Sequence, residues 1–314
     1  MWTGLANPTP DSRRPRLLVL ELWGLGDLAL ALPFLRAAAE FADVTLLAKP
    51  HAAPLLRRFA PTVELIALDA PWTAFRGKYR LHRWPWPALA AVVRELRARG
   101  FDLAASARPD PRDHLLMRLG GARERYGFAR AGSGLLLSRS MAAPRQPHRV
   151  DHWRTLAGAL GWEVPSAVPP PRSGRHIVMH TGAAQAVREW PRERFEAIAG
   201  RLREADWRVT LLDNSQRDLD ALLETLATAD RFIGNDSGPG HLAALLGVPT
   251  FTIFGPQLPE CFSPQHPLAA WIEGAPCPYK PCHDYCRFAQ PNCLHAHSVE
   301  NVWTALQPFL RTKS

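Results

Sequence analysis

RLLVLELWGLGDLALALPFLRAAA, residues 16–39, decides the fold. Arg16 to Leu22 is a short apolar run closed by Gly24 and Gly26, which reads as a buried strand entering a tight turn. Beyond the turn, Leu28, Ala31, Leu32, Leu35 and Ala38 recur at helical spacing, so a helix packs back on that strand. The pattern repeats outward. Residues 44–48 and 63–68 read as buried strands, residues 88–99 as an amphipathic helix, and residues 101–107 as the strand after it. Strands alternating with helices predict a parallel sheet covered on both faces, an α/β architecture.

Val164 to Gly174 (VPSAVPPPRSG) is proline-rich and lacks apolar periodicity, as a linker should. After it the alternation restarts, with strands at 176–180, 207–212, 231–234 and 250–254 and helices at 195–205, 219–227 and 241–246. The prediction is two Rossmann-like α/β domains, residues 1–165 and 166–314, with parallel sheets facing across a cleft. A return of the C-terminal helix to the first domain is allowed.

The chain has 314 residues, 46% of them hydrophobic, and a net charge of +9. It is neither a disordered polyelectrolyte nor a peptide-sized module. No apolar run approaches the ~18 to 20 residues of a membrane span, and Met1 to Arg16 lacks the ordered parts of a signal peptide. A cytoplasmic location is therefore expected. Lysine occurs only at Lys49, Lys78, Lys280 and Lys313, which leaves the basic charge almost wholly to arginine, the residue suited to a two-pronged grip on phosphate or carboxylate. That charge is uneven. Residues 1–172 hold 25 basic against 14 acidic, net +11, and residues 173–314 hold 13 against 15, net −2. The first half should dock an anionic partner: an acidic glycan, an anionic membrane surface or nucleic acid.

Gly24-Leu25-Gly26-Asp27-Leu28-Ala29 fits the dinucleotide pattern G-x-G-x-x-A, but two features argue against that ligand. Asp27 stands where the pyrophosphate would sit and would repel it. The acidic ribose ligand expected about 20 residues on is missing, since Lys49 follows the second strand. Asp27 either stabilises the helix dipole or is a carboxylate at the C-terminal edge of a parallel sheet, placed to act as general base toward a hydroxyl. GNDSGPGHLAA, residues 234–244, also follows a strand and opens a helix. Its glycines allow close backbone approach, Pro239 suits the first helical position, and the free first-turn amides suit an anion. The plainer reading is an ordinary turn with a capping Asp or Ser. His180-Thr181-Gly182-Ala183-Ala184 forms a similar loop, with Arg188 after it as a candidate phosphate ligand.

Together GLGDLALALPFLRAAA (24–39), FDLAASARPD (101–110), HTGAAQAVREWP (180–191) and GNDSGPGHLAALLGVPTFTIFGP (234–256) resemble glycosyltransferase family 9, the ADP-heptose:lipopolysaccharide heptosyltransferases. The resemblance runs from about Arg16 to about Leu310 and implies the GT-B fold and an inverting, metal-independent sugar transfer. It implies Asp27 as the base that deprotonates the acceptor hydroxyl. It places the nucleotide sugar, most simply ADP-heptose, on Thr181, Gly182, Arg188, Asp236, Ser237, Gly238, Pro239, Gly240 and His241. The acceptor, an anionic lipopolysaccharide-type glycolipid, is expected at Gly24, Gly26, Arg76, Arg80, Arg83 and Arg108. Peripheral contact with the inner face of the inner membrane is compatible with this, nucleic acid is not expected as a partner, and no cofactor is required.

Some positions depart from the family pattern. Arg188 replaces a lysine, Glu21 and Trp23 stand where a basic residue and a serine are usual, and Asp213 to Gln216 replace a glycine pair and a glutamate near the nucleotide. These departures keep two alternatives open: a noncatalytic glycan- or nucleotide-binding relative, and a transferase using another nucleotide sugar.

Two further stretches stand out. Cys277, Cys282, Cys286 and Cys293, interleaved with His283, His295 and His297, suggest a structural metal site or a purely structural cluster, though the tight C-x2-C pairs of strong zinc patterns are missing. Residues 71–86 mix arginine with tryptophan and proline. They read as a loop that meets acceptor or lipid headgroups, as a single-stranded nucleic-acid binder, or as an ordinary loop whose tryptophans pack on the core.

Overall fold

The computed structural model describes residues 13–74, 76–145, 148–165, 173–282 and 285–312, so most of the proline-rich linker, Phe75 and His283 lie outside the described residues. The chain divides into two compact units, Met1–Ser166 and Ala167–Ser314.

The first unit runs β1 (Arg16–Glu21), α1 (Leu25–Phe41), β2 (Asp43–Ala48), α2 (Ala52–Phe59), β3 (Glu64–Ala67), α3 (Trp86–Arg99), β4 (Leu103–Ser106), α4 (Pro111–Leu119), β5 (Glu124–Phe128), β6 (Arg139–Met141) and α5 (Arg149–Ala159). Its six strands form one parallel sheet in the order β3-β2-β1-β4-β5-β6. β1 is central, and Leu17 to Leu20 are fully buried, as an apolar run covered on both faces requires. α1 sinks Leu28, Ala31, Leu32, Phe34, Leu35 and Ala38. Phe34 also receives α5, its ring centroid lying 5.0 Å from that of Trp153.

The second unit runs β7 (His176–His180), α6 (Arg192–Glu204), β8 (Arg208–Leu212), α7 (Leu219–Ala227), β9 (Arg231–Asn235), α8 (Gly238–Leu245), β10 (Thr250–Phe254), α9 (Pro259–Phe262), β11 (Ala270–Glu273), α10 (Asn292–His295) and α11 (Val299–Arg311). Five parallel strands are ordered β11-β10-β9-β7-β8. The C-terminal helix α11 buries Val302, Leu306 and Phe309 in the core of its own unit, with Ile177, Phe251 and Ile253.

An aspartate pins the start of each central strand, half-buried in the first unit and buried in the second. Asp102 accepts from the Arg16 amide at 2.9 Å, and Asp230 accepts from the amides of Gly174 at 3.0 Å and His176 at 2.9 Å. A Cβ on Gly174 would lie 2.4 Å from the Asp230 carboxylate, so the second pin needs glycine there.

Candidate functional site

In each sheet the strand order reverses once, between β1 and β4 in the first unit and between β7 and β9 in the second. Helices leave the two central strands toward opposite faces at such a point, which opens a crevice beyond the strands' carboxyl ends. The segments chosen from sequence sit at these crevices: Asp27 after β1, Arg108 after β4, Thr181 and Gly182 after β7, and Asp236 to His241 after β9.

The first crevice is built from charge. Leu20 pairs in register with Ser106, so the turns that follow β1 and β4 emerge side by side. Asp27, in the first turn of α1, ion-pairs with the Arg108 guanidinium, and its Oδ2 accepts weakly from the Gly24 amide at 3.4 Å. The same guanidinium lies 4.8 Å from the Trp23 ring centroid, a cation–π contact that holds it over the crevice. Gly24 caps α1 with an ordinary extended backbone, and a Cβ there would meet only Asp27 at 3.6 Å. Glycine is therefore not sterically required at Gly24.

Glu21, Asp27, Leu30, Ala107, Arg108, Arg149 and Trp153 enclose one small pocket. Glu21 is 3% exposed, and its Oε1 accepts from the Trp23 amide at 3.1 Å. Burial first, and then the charge of Asp27, push its carboxyl up to about 8, so at neutral pH it is an uncharged acid beside an ion pair. Behind it, Asp113 in α4 is fully buried and accepts from Trp72 Nε1 at 3.0 Å. Burial and the charge of Asp110 raise it to about 7. Sequence reasoning assigned no role to Glu21, Trp23 or Arg149; the signal available was the lone acid inside the apolar run of β1.

Backbone and small residues make the second crevice. Ser237 is the N-cap of α8 but its hydroxyl bonds the Asn235 carbonyl at 3.2 Å and caps no amide, so the capped-turn reading does not hold for Ser237. Pro239, Gly240 and His241 are buried in the first turn of α8. Arg188 lies 3.6 Å from Asp236 and offsets a carboxylate that would otherwise oppose an anion at this helix end. Gly234 is required: a Cβ there would stand 2.9 Å from the Phe232 ring and 3.1 Å from the His180 carbonyl.

The loop after β7 is tied to itself more than sequence suggested. The Thr181 amide donates to Leu212 at 2.9 Å and the Ala183 amide to Glu189 at 2.9 Å. Asn214 donates from Nδ2 to both the Ala183 carbonyl and Glu189 at 2.9 Å, and lies where a Cβ on Gly182 would fall. His180, buried and lowered in pKa by that burial, has Nδ1 3.1 Å from the Gly182 carbonyl.

The aromatic and basic stretch divides between its readings. Trp72 is buried and Trp84 packs on the core, but Tyr79 is 80% exposed and Trp86 53%. Arg76, Arg80 and Arg83 line, with Pro71, Ala74, Gly77 and Trp84, a pocket of about 480 Å³. No acidic residue occurs from Ala70 to Arg94. The cysteines are free thiols, with Cys293 buried. Among the described residues, which leave out His283 of that cluster, no three His, Cys, Asp or Glu side chains converge as metal ligands. Among those residues, too, no helix is long and apolar enough to cross a membrane.

Residues 215–290, which include α8 and its loop, match the family model for glycosyltransferase family 9 (heptosyltransferase). Lipopolysaccharide heptosyltransferase 1 of Pseudomonas aeruginosa is 27% identical over 52% of this chain and 59% of its own length. The match thus spans little more than half of that relative. Among solved structures, a family 9 glycosyl transferase from Veillonella parvula has a TM-score of 0.76 at 19% identity, covering 98% of this chain and 100% of that one. The E. coli heptosyltransferase WaaC with ADP has a TM-score of 0.73 at 18% identity, covering 94% and 99%. The GT-B fold and the resemblance to glycosyltransferase family 9 both hold.

Proposed function

We propose, taking relationship to glycosyltransferase family 9 as the premise, that this chain is an inverting glycosyltransferase. It moves a sugar, heptose from ADP-heptose, to a hydroxyl of an anionic lipopolysaccharide-core type acceptor. One observation carries the reading: an α8 N-terminus uncapped by Ser237, with Arg188 beside it, lies inside the segment matched to the family model. First-turn amides and a guanidinium suit the charge that develops on a departing diphosphate.

The acceptor oxygen bonds to the anomeric carbon as the bond to the diphosphate breaks, inverting that carbon. The hydroxyl proton passes to Asp27, and ADP leaves as the anion. Arg108, ion-paired with Asp27, holds that carboxylate at the crevice. Arg76, Arg80 and Arg83 supply the acceptor's anionic groups with guanidinium partners, and the exposed Tyr79 and Trp86 beside them suit headgroups at a membrane surface.

A thermal-shift series with ADP-heptose, ADP, GDP-sugars and UDP-sugars tests the donor, because a ligand that binds only the folded state raises its Tm. Stabilisation by ADP-heptose and ADP alone is expected, and a response confined to GDP- or UDP-sugars would refute the donor. The rival reading, a noncatalytic binder, is favoured by Asp27 already holding Arg108; turnover with any nucleotide sugar excludes it.

A further inference from the structure

We propose that Glu21 is a positioning residue for Asp27: as an uncharged acid it leaves Arg108 to Asp27, and on losing its proton it draws Arg108 away and turns transfer off. The inference rests on the reading of Asp27 as the base.

The geometry comes from three elements meeting in one pocket. β1 brings Glu21, the first turn of α1 brings Asp27, and the turn after β4 brings Arg108, which the Trp23 ring holds in place. α5 adds Arg149 to the pocket wall, and α4 places Asp113 behind it. His152 of α5 is held neutral near neutral pH, its pKa lowered to about 4 by burial and by Arg149. With Glu21 protonated, the pocket holds two guanidinium groups and one carboxylate, a net positive site for an anionic acceptor. Once Glu21 ionises, two carboxylates compete for Arg108 and that excess vanishes. The Trp23 amide bonds one carboxyl oxygen of Glu21, which fixes the side chain in the pocket in either state.

The cation on Asp27 comes from the turn after the neighbouring strand β4, and the acid at the end of β1 shares the pocket with both.

The test is the pH dependence of kcat/KM between about pH 6 and 10, with ADP-heptose and a lipopolysaccharide-core acceptor, for the wild type and Glu21→Gln. Glutamine is an uncharged mimic of the protonated acid. The wild type should lose rate roughly tenfold per pH unit above a midpoint near 8, and Glu21→Gln should hold its rate through that range. An unchanged alkaline limb in the variant, or a rate reduced equally at every pH, would overturn the proposal, the latter because it marks a merely structural role. Carbon-13 carboxyl NMR of glutamate-labelled protein supplies a readout independent of transfer. One glutamate should titrate far above the others and vanish in Glu21→Gln, while the guanidinium resonance of Arg108 should shift with the same midpoint. Absence of either overturns the proposal. If the wild type transfers no sugar but both NMR signals appear, the transferase reading fails and the Glu21–Arg108 coupling stands.

Discussion

The two crevices occupy equivalent places in their sheets and are made of opposite materials. At the first, ionisable side chains crowd around the ends of β1 and β4: Glu21 and Asp113 buried, Asp27 and Arg108 partly so. At the second, the polar work falls to backbone amides and to Asn214, Asn235 and Ser237, with the ion pair of Arg188 and Asp236 at its edge. Buried charge makes a site that answers to protons, whereas backbone dipoles make one indifferent to pH but strict about shape. A transferase needs the first where a hydroxyl is activated and the second where a diphosphate is held.

The largest expected effect falls on the charged crevice. Asp27→Asn should lower kcat roughly 100- to 10,000-fold, the range for loss of a general base, while calorimetry shows the affinity for ADP unchanged. A weakened ADP affinity would mean that the two crevices do not divide the labour as described.

Stability should vary with pH next most strongly. Glu21 and Asp113 have folded-state pKa values raised to about 8 and about 7 from unfolded values near 4. Folding therefore favours their protonated forms. Their stabilising contribution is complete below about pH 4, is lost as the pH rises through 7 and 8, and is level beyond. Urea titrations of the wild type should lose a few kcal/mol over that interval relative to the double variant Glu21→Gln, Asp113→Asn. Parallel curves would deny that these acids are protonated in the fold.

The second crevice should respond through affinity. Arg188→Ala removes a charged hydrogen-bonding partner and should weaken ADP binding by about 1.5 to 3 kcal/mol, with Arg188→Lys in between. The smallest effect is expected behind the first crevice. Trp72→Phe leaves Asp113 Oδ1 without its donor and should cost about 1 to 2 kcal/mol in the urea midpoint, more at high pH than at low.

Much of the fold was legible because central parallel strands are apolar on both faces. The strands at 176–180 and 250–254 and the helix at 219–227 match β7, β10 and α7 in both bounds. Elements read short or left out lie toward the edges or are small: β5, β6 and β11, whose outer residues are half exposed, and α2, with eight residues. α4 and α5 were obscured by polar residues that face the charged crevice, Asp113 and Arg149 among them. The candidate site was legible where chemistry is local, as in the loop of residues 234–241. It was not legible where chemistry depends on pairing across the sheet. Arg108 lies on Asp27 because β1 and β4 are neighbours, and nothing in either segment alone states that adjacency. Glu21 was visible only as an anomaly, since a strand pattern says that a position is buried but not which charges share the burial.

The aspartate pins, Asp102 on Arg16 and Asp230 on Gly174 and His176, lie at the opposite ends of the central strands from the crevices. Each unit thus keeps its structural lock a full strand length from its crevice. A substitution in the turns beyond the carboxyl ends can therefore change what a crevice holds without unpinning the strands that frame it.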